Sequence, residues 1–341
     1  MTRTHTFHDC PSLNTALCAI HRNFGDTPFV RIEDDGWGGG IYAKCEWSNA
    51  FGTVKDRAAF WMLVDALQRY SSWQDARENL HVLEYSGGSL ACALARMCEA
   101  LGVRCTMVVG GWLSPLELEG LRGTGASVVI TPKERGFLAV MIEAQRLSRE
   151  DRNFTFLNQH ENPACIRAHE VGTGPEVVRQ LHGILPHAWV SSIGTGATLV
   201  GVAKALRQVN PYLGIHAVTP AEQPYGTSAP PNGLRKIAGS GGLGNGLRQR
   251  FLEDFLLPVR HWDIAYEEAA RAMRALESES GIRVGSSSAA NLIVARKIHG
   301  SLGKGHVVVT VFPSAGTEAE WTHVNGLASE SESTIQTRTV S

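Results

Sequence analysis

From about residue 80 onward, short apolar runs alternate with longer stretches in which apolar side chains recur every three or four positions. That rhythm of strand and helix signals predicts a parallel sheet with crossover helices, an α/β class. His81–Tyr85 reads as a strand, Leu90–Leu101 as a helix with Gly102 past its end, and Val103–Val109 as the next strand. Leu116–Leu121 (helix), Ser127–Thr131 (strand), Gly136–Leu147 (helix) and Phe154–Leu157 (strand) continue one compact set. A second set runs through Ala164–Leu181 (helix), His187–Ile193 (strand), Leu199–Gln208 (helix) and Ile215–Thr219 (strand). The pattern leaves open whether its strands join the first sheet. Residues 219–235 hold four of the 14 prolines and run into the Gly-rich stretch 238–246, a long loop that could serve as a lid. Helical spacing returns at Ala265–Glu277 and a buried-strand run at Val307–Phe312. The polar stretch from Gly326 to the end is expected to be disordered.

Composition narrows the class. A chain of 341 residues is long enough for about two domains. Thirty-two Lys and Arg against 33 Asp and Glu leave a net charge of −1, so no overall field draws in nucleic acid or an anionic membrane. No apolar run approaches the ~18 residues of a membrane span. The first residues lack the zones of a secretory signal, which points to the cytoplasm. Seven cysteines, an odd set without a C-x-x-C, support neither a disulfide scaffold nor a zinc site. His5, His8 and Cys10 lack a metal-binding arrangement, and no metal is assigned.

Three segments carry candidate chemistry. Gly194-Thr-Gly-Ala-Thr198 joins a strand to a helix, where backbone N–H groups, two hydroxyls and the helix dipole suit a phosphate. A glycine-rich turn with no ligand fits the same letters, and neither a Walker loop nor the dinucleotide fingerprint is present. Ser86-Gly-Gly-Ser89 opens a helix at the carboxyl end of a strand, where α/β ligands gather, although simple helix capping needs the same residues. Lys55 stands beside Asp56 and Arg57 before the apolar helical stretch Ala58–Leu67; such a lysine is ordinarily a solvated surface residue.

Taken in order from Thr27 to Gly316, these segments resemble the cysteine synthase/cystathionine β-synthase-like family of pyridoxal-phosphate enzymes, fold type II, tryptophan synthase β-like. Thr27-Pro-Phe-Val-Arg31 is similar to the family's T-P-L-V-R opening, and Pro313-Ser-Ala-Gly316 to its closing P-x-x-G. Asn49-Ala-Phe-Gly-Thr-Val-Lys-Asp-Arg57 resembles N-P-x-x-S-x-K-D-R, which implies that Lys55 is the Schiff-base lysine. Gly194, Thr195, Gly196, Ala197 and Thr198 resemble G-T-G-G-T, the cradle of the cofactor phosphate. Glu84-Tyr-Ser-Gly-Gly-Ser-Leu-Ala91 resembles E-P-T-S-G-N-T-G, so Ser86, Gly87, Gly88 and Ser89 would line the substrate-carboxylate loop, with Ser89 also at the cofactor. Gln159, in a segment similar to Q-F-x-N-P, would help hold that carboxylate. Val171-Gly-Thr-Gly-Pro-Glu176 resembles T-T-G-P-E, and Lys236–Gly241 the mobile x-I-x-G-I-G segment. Ser287, in Gly285–Ala290, would meet the pyridine nitrogen.

The resemblance implies a two-domain fold type II enzyme with parallel-rich twisted sheets covered by helices. Residues 1–48 and 158–325 would form a large cofactor-binding domain, 49–157 a small mobile one, and 326–341 a disordered tail. It implies pyridoxal 5'-phosphate as cofactor, small amino-acid substrates and a homodimer. The activity implied is β-replacement on O-acetylserine or O-phosphoserine by a sulfur or amine nucleophile, through an aminoacrylate. A serine/threonine-type dehydratase and a non-catalytic relative are the rival readings. A neutral serine, rather than an aspartate, at the ring nitrogen implies a moderate electron sink, which favours expulsion of a β-substituent over transamination.

The chain also departs from the family. Ser89 replaces the usual asparagine and Leu90 a threonine; Ala197 replaces a glycine and is tolerable only at negative φ. His160 takes the place of an aromatic residue, where a packed ring or a substrate contact would both fit. The closing motif lacks G-E-R-Y and reads Gly316-Thr-Glu-Ala-Glu-Trp321. Arg235 and Lys236 are either solvated loop charges or contacts for an acidic nucleophile or phosphate leaving group. With the S-G-G-S loop they resemble the branch that joins O-phosphoserine to glutamate.

Overall fold

The computed structural model describes residues 11–327. In chain order its strands are β1 (Phe29–Asp34), β2 (Gly40–Cys45), β3 (His81–Ser86), β4 (Arg104–Gly110), β5 (Ser127–Thr131), β6 (Phe154–Phe156), β7 (Ala188–Ser192), β8 (Gly214–Pro220), β9 (Arg260–Ile264) and β10 (Val307–Phe312). The helices are α1 (Pro11–His21), α2 (Lys55–Leu67), α3 (Trp73–Asn79), α4 (Ser89–Leu101), α5 (Pro115–Gly123), α6 (Gly136–Glu150), α7 (Ala164–Ala168), α8 (Gly174–Gln180), α9 (Ala197–Val209), α10 (Arg250–Glu253), α11 (Tyr266–Ser280) and α12 (Ser286–Leu302).

The strands form two separate sheets, which settles the question the pattern left open. One has four strands in the order β5-β4-β3-β6, all parallel. The other has six in the order β1-β2-β10-β7-β8-β9, parallel except for the β1–β2 hairpin. Parallel strands are joined by crossover helices, so both faces of each sheet are covered and the central strands are apolar throughout, as in β10. On the large sheet, Ala269, Met273, Leu292 and Ala295 of α11 and α12 fill one face, and Leu199, Val202, Ala203 and Leu206 of α9 fill the other. On the small sheet, Val140 and Ala144 of α6 pack with Leu83 and Val108.

A third apolar cluster does not respect the division at residues 49 and 157. Ala59, Leu63 and Leu67 of α2 and Leu90, Leu94 and Met97 of α4 share it with Cys165, Ala197, Val200 and Phe251. The body around the small sheet is therefore packed onto α7 and α9, not hung on a linker.

Several elements differ from the sequence expectation. The β1–β2 hairpin and edge strand β9 carry Arg31, Glu33, Arg260, His261 and Asp263, and their mixed burial gives no clean period. Helix α12 is buried nearly all round, so no polar face announces it. The single helix expected over Ala164–Leu181 is broken by a π turn at His169–Thr173, between α7 and α8. At Gly174 a Cβ would lie 2.4 Å from the Ala205 methyl, so only glycine allows α8 to lie this close to α9. In the expected tail, Gly326 and Leu327 continue a helix over residues 318–327, and the rest lies outside the described residues. No helix among the described residues is long and apolar enough to cross a membrane.

One buried ionic network ties these parts together. Arg57, in the first turn of α2, donates to both oxygens of Glu46 (Nε to Oε2 2.7 Å, Nη2 to Oε1 2.8 Å) and both of Glu176 (Nη1 to Oε1 2.6 Å, Nη2 to Oε2 2.8 Å). Lys44 of β2 adds a 2.7 Å pair to Glu176 and donates to the Thr27 carbonyl and Gln180. Two cations thus face two carboxylates, and the Thr27 hydroxyl and Asn49 amide complete the Glu46 oxygens. A buried ion pair costs desolvation unless it is saturated with hydrogen bonds in this way. The guanidinium and ammonium hold Glu176 down to about 2 against the burial that pushes it up.

Arg57→Met leaves Glu46 without its cation and Glu176 with Lys44 alone, and should cost about 3–5 kcal/mol of stability, read from urea unfolding. Because the folded Glu176 titrates below its unfolded value, its contribution is full above the ordinary carboxylate range. It is lost as pH falls through that range toward about 2, and the Glu176→Gln variant should lack that acid-limb loss.

Candidate active site

The carboxyl ends of β3, β7 and β10 converge on one cavity, the place where ligands of parallel sheets gather. Its walls include Lys55, Ser89, Gly194, Thr195, Gly196, Thr198 and Ser287, so residues far apart in sequence are brought together as expected. Thr53, Ser191, Ser192, Ala238, Gly239, Ser314, Thr317 and Glu320 add further lining. Ala197 sits just behind, buried, as the first residue of α9; its φ is not positive, which is the condition its side chain required.

Lys55 opens α2. Its segment is pinned by an isolated bridge from Thr53 to Ser314 and by the Val54 N–H donating to the Pro313 carbonyl at 2.9 Å, and the Lys55 N–H donates to the Thr53 hydroxyl. Its Nζ lies 3.7 Å from where a Cβ on Gly194 would be, so the amine reaches the glycine-rich loop. Among the described residues no hydrogen bond or ion pair holds that Nζ, and burial pushes its pKa down. An amine so placed carries more of the neutral, nucleophilic form than a surface lysine does.

The glycine-rich loop has the form of an anion cradle. Gly196 caps α9 at φ +91°, and a Cβ there would lie 2.0 Å from the Leu252 side chain; a Cβ on Gly194 would be 2.6 Å from the Gly239 carbonyl. The loop thus exposes backbone where side chains would intrude, at a helix start whose first N–H groups have no intrahelical acceptor. Above it, the Ala238 N–H donates to the Ser286 hydroxyl at 2.9 Å and the Gly241 N–H to the Ile193 carbonyl, so residues 238–241 lie across the cavity. An aldehyde-reactive amine, an anion cradle and the hydroxyl of Ser287 in one cavity form a donor set that fits pyridoxal phosphate.

The substrate-loop residues are placed differently. The Ser86 hydroxyl accepts from the N–H groups of Gly88 (3.0 Å) and Ala91 (3.1 Å), so it acts as the helix cap, and Gly88 takes φ +149°. Ser89 and Leu90 begin α4, where N–H groups are open for an anion. Of this loop only Ser89 lines the cavity; Gly87 does not, and its carbonyl accepts from the Trp112 indole. Gln159 is buried, and its amide donates to the Tyr85 carbonyl at 2.6 Å, which ties down the strand end rather than facing the cavity. Lys236 donates to Gln223 and Arg235 lies over the Tyr266 ring, so neither is a cavity wall.

Three buried residues lie outside the lining, and sequence reasoning passed over the first of them. His169, in the π turn, bonds Thr173 through Nδ1 (2.9 Å) and Thr198 through Nε2 (3.1 Å). Burial, with Arg57 and Lys55 nearby, holds its imidazole neutral, so one nitrogen accepts and the other donates. A histidine inside a helical pattern gives no sign of this; only the extra π-turn residue turns it toward the loop. His160 is packed, stacked on Tyr85 with its Nδ1 2.7 Å from the Tyr85 hydroxyl, and its pKa is lowered to about 3 by burial and the Lys55 charge. Glu84 is buried under the loop and its carboxyl is pushed up to about 8 by burial, against the N–H groups of Tyr85 and Gln159.

A profile of the family described as "Pyridoxal-phosphate dependent enzyme" matches residues 20–314. A cysteine synthase of Staphylococcus aureus (strain N315) is 32% identical over 300 residues, covering 87% of this chain and 93% of the relative. The crystal structure of an O-acetylserine dependent cystathionine beta-synthase from Helicobacter pylori superposes with a TM-score of 0.76 at 26% identity, covering 86% of this chain and 94% of that one. That of an O-ureido-L-serine synthase gives 0.74 at 25%, covering 87% and 91%.

Two outcomes follow. Because Glu84 is protonated in the folded protein up to about 8 and ionised in the unfolded chain above its ordinary value, stability falls as pH rises between the two. Glu84→Gln should flatten that slope in denaturant titrations from pH 5 to 8. His169→Phe should weaken uptake of pyridoxal phosphate by about tenfold, the worth of one buried hydrogen-bond partner, and leave binding of phosphate-free pyridoxal unchanged. Equal losses for both would make His169 a packing residue only.

Proposed function

Because the chain belongs to the pyridoxal-phosphate dependent enzymes, we propose that the cavity walled by Lys55, the Gly194–Thr198 loop and Ser287 is where it works. It is a transferase/lyase of cysteine-synthase-like type that carries out β-replacement on an activated serine-type amino acid. The observation that carries the site assignment is the unpaired, buried Nζ of Lys55 aimed at a phosphate-type cradle.

Bound there, pyridoxal phosphate supplies an aldehyde for an amine and a ring that accepts the electron pair released with the α-proton. Every other task falls to the chain. The Gly194–Thr198 loop and the start of α9 hold the phosphate through backbone N–H groups. Thr198 keeps its proton for the phosphate if His169 Nε2–H donates to Thr198 and the Thr173 hydroxyl donates to His169 Nδ1; the Thr198–His169 and His169–Thr173 contacts fit that order. Ser287 meets the ring nitrogen. Ser89 and the open N–H groups of α4 hold the substrate carboxylate, with Ser86 fixing the loop and Gln159 the strand beneath it. Once displaced by substrate, the Lys55 amine takes the α-proton at Nζ, and burial, which lowers its pKa, leaves more of it in the unprotonated form that a base requires than a surface lysine has. Residues 238–241 exclude water from the product side.

The division into a large domain (1–48 and 158–325) and a small mobile one (49–157), the sulfur or amine nature of the nucleophile, a homodimer and a cytoplasmic setting belong to the same proposal and rest on the family likeness. Borohydride reduction of the reconstituted protein should label Lys55, and Lys55→Ala should lose amino-acid formation from O-acetylserine or O-phosphoserine and sulfide by at least about a hundredfold. Absence of label at Lys55 would reject the assignment.

A further inference from the structure

The segment in which the chain departs from the family's closing motif places a carboxylate in the cavity. Glu320 is buried at 8% exposure and lines the same cavity as Ser287, Ser314 and Thr317. Its Oε1 accepts the backbone N–H of Ser286 at 3.1 Å, in the first turn of α12, one residue before Ser287. A carboxylate capping a helix start is favourable in itself, and that accounts for one oxygen.

The second oxygen has no such use. No hydrogen bond reaches Oε2 among the described residues, yet it is not among the sealed, unpartnered polar atoms, so it is open to solvent on a residue that lines the cavity. Gly316, at φ +85°, leaves space beside it: a Cβ there would sit 3.1 Å from Oε2 and 3.0 Å from the Trp321 indole nitrogen. The Trp321 N–H is already given to the Ala315 carbonyl, so it does not satisfy the carboxylate. The Glu320 N–H is held by the Thr317 hydroxyl, which fixes the backbone from which the side chain extends. An anchored carboxylate with one open oxygen, next to the serine assigned to the ring nitrogen, is a hydrogen-bond acceptor waiting for a donor.

We propose that Glu320 is a second contact for the cofactor's ring nitrogen, with Oε2 accepting the N–H of a ring held protonated. This rests on the assignment of Ser287 above and changes its consequence. A serine alone leaves the ring a moderate electron sink; a carboxylate within reach favours the protonated nitrogen and deepens the sink. Glu320 then biases the reaction toward longer-lived carbanion chemistry than the serine implies.

The test uses holoenzyme reconstituted with pyridoxal phosphate carrying ¹⁵N at the ring nitrogen. In the wild type the nitrogen resonance should lie at the protonated position. In Glu320→Gln, which keeps an acceptor oxygen for the Ser286 N–H but removes the charge, it should move to the unprotonated one. A wild-type resonance at the unprotonated position, or a resonance that Glu320→Gln leaves in place, overturns the proposal. Borohydride labelling at Lys55 in the same samples separates the two levels. Label with an unprotonated nitrogen defeats this inference and leaves the proposed function standing, whereas no label defeats both.

Discussion

The position of the Lys55 amine depends on a buried group of charges that lies outside the cavity. Arg57 lies two residues after Lys55 in the first turn of α2, and its guanidinium is clamped by Glu46 after β2 and Glu176 in α8. Three elements from different parts of the chain are thereby fixed around one turn of helix, and Lys44 balances the charge count. Rotating α2 by a few degrees would have to break several saturated bonds in a medium of low dielectric, where an unpaired charge is costly. The direction of Lys55 is set by this network and by the backbone bonds of Thr53 and Val54 to the end of β10.

Four buried titratable groups around that amine are held neutral. Arg57 and Lys44 have their carboxylates; among the described residues no ion pair reaches Lys55, and burial is what keeps those four groups uncharged. His160 and His169 are pushed down, while Cys165 and Glu84 are pushed up. Each shift has desolvation as its largest cause, so a single physical condition sets the nucleophile and the neutral state of its surroundings. The cradle works the other way. It offers backbone dipoles rather than side-chain cations, so an anion is held without a positive charge close to Lys55 to depress it further.

Much of this was legible in the sequence. Most strands and helices from residue 81 to 219 follow from hydrophobic period, because each crossover helix has one buried face; the π turn at His169–Thr173 does not, since it leaves the apolar spacing of a single helix intact. The cavity walls Lys55, Ser89, Gly194–Thr198 and Ser287 were legible because backbone geometry demands glycine, and chemistry demands an amine and hydroxyls, at fixed places in the order. What the sequence hid depends on three-dimensional neighbours. Helix α12 and the edge strand β9 lack the contrast between faces that a period needs. Gln159 and Ser86 are engaged by backbone groups that no linear motif reveals. Glu320 sits in a stretch where the family pattern stops, and only the turn at Gly316 brings its side chain to α12.

The π turn at His169–Thr173 sets a limit on how this region of the chain can be altered in length. Each residue of a regular helix advances the direction of the following side chains by roughly 100°. Excising one residue here would let α7 and α8 fuse into an uninterrupted helix, and the hydrophobic pattern would register no fault. The imidazole would nevertheless swing away from Thr198, and Glu176 would leave its place beside Arg57. A shortening that improves local helical regularity would therefore undo, in one step, the support of the glycine-rich loop and the clamp on the lysine-bearing helix.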